Sequence, residues 1–138
     1  MNVDRAPERS RPSPSVGAQA ARRALGSRSE MTWTAWSNGA PSKWGSGYGF
    51  RVAAADRRAQ FRRAWSTVTL VLLTGARVKI VQVPLSASFW RGCPELRHRS
   101  IGTWFRKYGW APWPDGSPPR FQARMFGKAK FVVSHQAS

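Results

Sequence analysis

The chain has 138 residues, a length typical of one domain. It carries 23 Lys and Arg residues against 6 Asp and Glu residues, a formal net charge of +17 at pH 7. Such an excess opposes compaction and favours binding to a polyanion, of which nucleic acid is the commonest. The longest strongly apolar run, VTLVLL, is far shorter than the roughly 20 residues of a membrane-spanning helix, so no membrane partner is predicted.

The cysteine content bears on the compartment. Cys93 is the single cysteine, which excludes an internal disulfide framework and favours a reducing environment. The predicted location is therefore cytoplasmic, as for a bacterial nucleoid-associated protein, or nuclear, and not secreted.

The first 30 residues differ in composition from the remainder. They are rich in Arg, Ser, Ala and Pro, and they contain no aromatic residue. Such a segment cannot bury enough apolar surface to offset its ordering entropy, so residues 1–30 are predicted to be a disordered basic tail or a mis-assigned start before Met31. A transit peptide is disfavoured by Asp4 and Glu8. The tail's net charge is +3, which leaves +14 on the predicted single domain, residues 31–138.

The domain is predicted to open with two short strands separated by a loop. TWTAWS (Thr32–Ser37) alternates as a half-buried strand does, and GFRV (Gly49–Val52) starts a second strand. Between them, Asn38–Gly49 is rich in Gly, Pro and Ser, which predicts a loop that is long for a compact domain. Long loops in small domains are commonly functional.

A helix and a hairpin follow. AAADRRAQFRRAW predicts a short helix in which Phe61 and Trp65, four residues apart, face the core together. Two β-branched runs, Thr67–Leu73 and Arg77–Val83, flank TGAR, which indicates a β-hairpin. Pro84–Leu96 is then predicted to be a second long loop.

The segment Glu95–Tyr108 has the spacing of a second helix. Its apolar stripe consists of Ile101, Trp104, Phe105 and Tyr108. The opposite, basic side carries Arg99, Thr103 and Arg106. Trp110 and Trp113 follow in a Pro-bounded turn, where packing in the core and contact with a ligand are both open. PRFQARM and KFVVS close the chain as two strands, so the predicted fold is mixed α/β, mainly β, a small barrel with two helices.

Four stretches together carry a resemblance to a known family. They are GFRVAAADRRAQF, VTLVLLTGARVKIVQV, GTWF and PRFQARMFGKAKFVV, within Met31–Ser134. Their order and spacing resemble the B3-like DNA-binding pseudobarrel of plant transcription factors and of specificity domains in some restriction enzymes. The resemblance implies a pseudobarrel in which two loops grip the DNA major groove. By position these arms are Asn38–Gly49 and Pro84–Pro94.

The sequence therefore predicts a non-catalytic nucleic-acid-binding module, with duplex DNA preferred over RNA. The predicted contact residues are Asn38, Lys43, Trp44, Arg51, Trp90, Arg91, Arg97, Arg99 and Arg106. Arg makes bidentate contacts to guanine and Asn to adenine, while Lys and Arg neutralise phosphates. Each residue alone is equally consistent with a solvated surface side chain, and together they favour binding.

Residues for catalysis or metal binding are scarce in the domain. Its three carboxylates are on Asp56, Glu95 and Asp115, each in a different predicted element. Cys93 and two histidines are too few for a structural zinc site, so no metal, cofactor or catalytic residue is predicted.

Three alternatives remain open at this stage. A small basic ribonuclease that needs no metal would use His98, which lies between Arg97 and Arg99. A binder of single-stranded DNA or RNA would stack bases on exposed tryptophans. Its candidates are Trp44, Trp90, Trp110 and Trp113. A basic subunit of a larger nucleoprotein assembly is the third.

Overall fold

The computed structural model describes residues 30–41, 44–92 and 94–136, so the predicted tail up to residue 29 lies outside the described residues. Within these ranges the chain forms seven strands and three helices. In chain order they are β1 Glu30–Ser37, β2 Tyr48–Arg51, α1 Ala54–Gln60, β3 Thr67–Thr74, β4 Arg77–Pro84, α2 Ala87–Arg91, β5 Glu95–Arg97, α3 Arg99–Lys107, β6 Arg120–Gly127 and β7 Lys130–His135. The predicted mixed, mainly β fold is confirmed.

All seven strands belong to one sheet, in the order β4–β3–β7–β6–β1–β2–β5. β3 and β7 pair in parallel, whereas β3–β4, β6–β7, β1–β2 and β2–β5 pair antiparallel. The sheet is curled into a half-barrel, and its edge strands β4 and β5 approach each other to within 8 Å between Cα atoms. The right-handed twist of strands accumulates over seven of them and produces this curl.

The predicted hairpin is present as β3 and β4. Thr74 pairs with Arg77, so Gly75 and Ala76 form a two-residue turn. Gly75 has a φ of +59°, a conformation that glycine adopts without steric cost at the first position of such turns. β4 is an edge strand with Val78 and Ile80 exposed on the outer face of the sheet.

The inner face of the sheet packs around an aromatic core. The largest fully buried aromatic side chains are Trp33, Phe50, Phe89, Phe105, Phe121 and Phe131. The Phe50 ring lies among three of these, with centroids at 5.2 Å from Phe121, 5.4 Å from Phe105 and 5.5 Å from Trp33. Aromatic pairs add about 0.5–1.5 kcal/mol each beyond the burial of their surface. This cluster fixes α3 against β2.

The first helix is shorter than predicted. α1 ends at Gln60, and Phe61 has an extended backbone with φ −112° and ψ 145°. The reason is tertiary packing, because the Phe61 ring stacks on Phe131 at 4.9 Å and 19°. Phe61 and Trp65 still meet, at 6.2 Å between ring centroids, although they do not share a helix.

The segment 84–108 also differs from its prediction. Residues 95–97 form β5 rather than helix, since Leu96 pairs with Phe50 of β2. α3 begins at Arg99, where His98 caps it by accepting a hydrogen bond at Nδ1 from the Ser100 amide, 3.0 Å away. The second predicted loop contains the five-residue helix α2, a third helix that the sequence did not predict.

Replacement of Phe50 by Ala is expected to lower the free energy of unfolding by about 3–5 kcal/mol, because the cavity left among three rings cannot close. Phe126→Ala is the matched control, since Phe126 is 54% exposed on β6, and a change within about 0.5 kcal/mol is expected. Urea unfolding followed by circular dichroism measures both. Equal losses in the two variants would contradict the central position of Phe50.

Candidate nucleic-acid interface

Loop 1, residues 38–47 between β1 and β2, lies directly on helix α3. The contact is backbone to backbone, because a Cβ atom on Gly102 would collide with the carbonyl oxygen of Gly45. A Cβ atom on Gly45 would lie 2.8 Å from the amide nitrogen of Thr103, and Gly45 has a φ of +102°. Two glycines are therefore needed for the loop to seat on the helix.

The predicted residues of loop 1 have different surroundings. The Asn38 Oδ1 atom accepts a hydrogen bond from the backbone N–H of Ala40 at 2.9 Å. The backbone N–H of Asn38 donates to the Gly47 carbonyl oxygen, also at 2.9 Å. Asn38 therefore closes the base of the loop. Trp44, adjacent to the Gly45 contact, is 68% exposed. Lys43 lies outside the described residues.

Arg51 and Arg97 occupy the outer surface of the short β2–β5 pair. Both bind the buried carboxylate of Glu95, Arg51 at 3.2 Å and Arg97 at 2.9 Å, and each arginine takes a different carboxylate oxygen. Both arginine side chains remain more than half exposed. One carboxylate thus orients two guanidinium groups and leaves a net positive charge.

Arg97 is held from a second side by an aromatic ring. Its guanidinium carbon lies 4.5 Å from the centroid of Trp36 on β1. Trp36 and Arg97 are both cross-strand partners of Gly49, which stands between them. The absence of a side chain at Gly49 allows the two to meet, and a Cβ atom there would also collide with the Leu96 carbonyl oxygen of β5. A stacked guanidinium still has N–H donors for a ligand.

The solvent side of α3 adds further positive charge. Arg99 is exposed at its first residue, and Arg106 in its last turn lies 3.5 Å from the Tyr48 hydroxyl. Lys107 is the last residue of α3. Lys79 of β4 lies beside the helix, with its Nζ atom 3.2 Å from Thr103 Oγ1. The sequence prediction named neither lysine, and Lys79 could not be placed beside α3 because β4 approaches the helix only through the curl of the sheet.

Loop 2, residues 85–94, lies beside α1. Trp90 is half-buried against Phe89, and the guanidinium carbon of Arg63 lies 5.4 Å from the Trp90 ring centroid. Arg57 of α1 donates to the Phe89 carbonyl oxygen at 2.8 Å. Arg91 is exposed in the last turn of α2. Trp90 therefore anchors the loop, and Arg91 extends from it.

The two loops stand at opposite ends of the β2–β5 pair. Loop 1 leads into Tyr48, where β2 begins, and loop 2 leads into Glu95, which pairs with Arg51 at the end of β2. Three residue steps of about 3.3 Å separate Tyr48 from Arg51, so β2 is roughly 10 Å long. Arg51 and Arg97 lie in the interval between the two loops.

The remaining candidate residues pack rather than project. Trp110 stacks on His135 at 4.7 Å and 15°, and Trp113 lies 5.7 Å from Tyr48 and 6.2 Å from Phe105. Trp110 and Trp113 are therefore partly buried and pack against the core. His98 has its Nδ1 atom occupied by the helix cap.

The part of the chain that the structure describes contains neither a metal-binding cluster nor a membrane-spanning helix. In residues 30–41, 44–92 and 94–136, no three His, Cys, Asp or Glu side chains are grouped closely enough to hold a metal ion. None of the helices described there is both long and apolar enough to cross a membrane. No protein-family model, curated protein or solved structure matches this chain.

Gly102→Ala is expected to unseat loop 1 and to cost about 1–3 kcal/mol of stability, as overpacked sites do, although Ala normally stabilises a helix relative to Gly. Gly92→Ala is the control, because a Cβ atom on Gly92 meets no heavy atom within 4 Å. Hydrogen–deuterium exchange should show lost protection in residues 38–47 for Gly102→Ala alone. Unchanged exchange together with higher stability would contradict the close contact.

Proposed function

We propose that this protein is a nucleic-acid-binding module that holds duplex DNA across the β2–β5 surface, between loop 1 and loop 2. One observation carries the proposal: a single buried carboxylate, Glu95, orients two exposed arginines on the strand pair that connects loop 1 with loop 2. Guanidinium groups presented in this way suit base edges in the major groove. The two loops then act as arms on either side of Arg51 and Arg97.

The orientation of Arg97 favours a role in base contact. Stacking on Trp36 and bonding to Glu95 fix the plane of its guanidinium before a ligand arrives. A guanidinium ordered in this way loses less conformational entropy on binding, and its remaining N–H groups suit the O6 and N7 acceptors of guanine. Arg51, which shares Glu95, stands one pleat further along the surface.

The cations outside this pair favour phosphate contact. Arg99 and Arg106 lie on the α3 side, and Arg91 stands at the loop 2 side. In the described residues, ion pairs are formed only by Arg51 and Arg97 with Glu95, so the other cations lack a carboxylate neighbour. Phosphate neutralisation by such side chains supplies most of the sequence-independent affinity and makes it salt-dependent.

Exposure of the tryptophans favours duplex DNA over single strands. A single-strand site stacks successive bases on several exposed rings. Of the four candidate rings, Trp90, Trp110 and Trp113 are partly buried against other aromatic side chains, and Trp44 is the exposed one. Loop 1 also covers α3 at Gly102, so the loop rather than the helix enters the groove.

Fluorescence anisotropy with the full chain and a labelled duplex tests the proposal at two salt concentrations. Arg97→Ala is expected to weaken binding to a guanine-containing target by about 1–3 kcal/mol, and Arg97→Lys by nearly as much, because the charge remains but the planar contact is lost. Arg91→Ala should reduce the slope of log affinity against log salt by about one.

Lys130→Ala is the matched control, since Lys130 is exposed on β7, away from β2 and β5. If Arg97→Ala and Arg91→Ala each bind the duplex as tightly as Lys130→Ala does, the two-arm arrangement is refuted. Tighter binding to single-stranded DNA or RNA than to duplex DNA would refute the duplex preference. Cleaved RNA in the assay would instead support a ribonuclease, with His98→Ala as the next variant.

A further inference from the structure

A small cavity opens between the turn of the β3–β4 hairpin and the C-terminal end of α3. Its volume is about 230 Å³. Six of its lining residues matter chemically: Thr74, Arg77, Lys79, Trp104, Lys107 and Tyr108. It lies along β4, which is the other end strand of the sheet from β5, although the curl of the sheet brings these two strands to within 8 Å of each other.

Three cations from two separate elements line this cavity. Arg77 and Lys79 come from β4, and Lys107 comes from the last turn of α3. The cavity lining contains no carboxylate, and Lys79 donates to a neutral acceptor, Thr103 Oγ1, at 3.2 Å. Like charges gathered in a concave site repel one another and concentrate positive potential there, so an anion relieves the repulsion.

The cavity also offers a hydroxyl donor and an aromatic wall. The Trp104 Nε1–H group donates to Thr74 Oγ1 at 2.9 Å. Because that oxygen already accepts from the indole, the Thr74 hydroxyl has its own hydrogen to donate to another group. The half-buried Tyr108 ring forms part of the rim, and the Lys107 ammonium lies 5.7 Å from its centroid.

We propose that this cavity binds a phosphate monoester, carried by the end of a nucleic-acid strand or by a free mononucleotide. A monoester bears about −1.5 to −2 charges at pH 7, which three cations neutralise better than they would match the single charge of an internal phosphodiester. The cavity is smaller than the roughly 300–1,000 Å³ of pockets that enclose a drug-sized ligand. The phosphate therefore enters it, while the attached nucleoside stays at the mouth beside Tyr108. The site goes beyond the proposed duplex surface and does not depend on it.

Isothermal titration calorimetry of the full chain with inorganic phosphate and with adenosine 5′-monophosphate tests the site at constant ionic strength. One site per chain is expected. The double variant Arg77→Ala/Lys107→Ala should bind phosphate at least about tenfold more weakly than the wild type, because two charge-assisted contacts are lost. Arg58→Ala/Arg62→Ala removes the same charge from a second groove, beside Trp65, and is expected to change the affinity less than about twofold.

A third variant guards against a folding defect in the double mutant. Lys107→Gln keeps most of the side-chain length and is expected to weaken phosphate binding severalfold, with an unchanged unfolding midpoint when phosphate is absent. Absence of phosphate binding by the wild type, or equal losses in the two double variants, would overturn the proposal.

Two oligonucleotide arms identify the source of the phosphate. A 5′-phosphorylated single strand that binds more tightly than its 5′-hydroxyl form, with the difference abolished by Arg77→Ala/Lys107→Ala, assigns the site to strand ends. Binding of the mononucleotide alone assigns it to free nucleotides. Duplexes with hydroxyl ends report only on the β2–β5 surface, so the duplex proposal and the phosphate proposal fail separately.

Discussion

The packing of α3 on the aromatic inner face of the half-barrel determines the position of loop 1 and of the cavity at the hairpin turn. Phe105 stacks on Phe121 at 5.2 Å and 17° and meets Phe50 edge-on at 5.4 Å. The apolar stripe of α3 packs on this inner face, and the helix also contacts β4 through the Lys79–Thr103 hydrogen bond and loop 1 through Gly102. The helix thereby brings its cations beside β4 on one side and beside loop 1 on the other.

Such a basic domain folds because its charges and its core are segregated. Mutual repulsion among the cations of a domain with a net charge of +14 opposes the compact state. Against this, the largest buried aromatic side chains lie on the inner face, whereas the cations lie on loops, on helix exteriors, on the outer face and at the exposed end of β4. Glu95 is the one buried charged residue of the described core, and both of its oxygens accept a hydrogen bond from an arginine. Repulsion is thus concentrated at the surface of the domain, away from its core.

Local patterns were sufficient to predict the hairpin, the strands at both ends of the domain and the apolar stripe of α3. They failed at β5, because three residues are too short to show alternation and the strand exists only through pairing with β2. The candidate site was predictable as residue types, and Arg99 is exposed on α3, as its helical spacing predicted. Its geometry was not predictable, since the Arg97–Trp36 stack depends on Gly49 in a strand between them. Arg77, Lys79 and Lys107 escaped notice for the same reason: their proximity arises from the curl.

The two ends of α3 contact different elements, and the two proposed sites differ accordingly. In the N-terminal half, Gly102 accepts the backbone of loop 1 at Gly45, next to the exposed Trp44. At the C-terminal end, Lys107 faces the hairpin turn, where β4 supplies two more cations around a concave space. A flat, extended surface suits a duplex, whose phosphates are spread along its length, whereas a small cavity suits one concentrated charge. One rigid helix of nine residues therefore fixes the separation between the two proposed sites, and a strand bound at one is held at a set distance from the other.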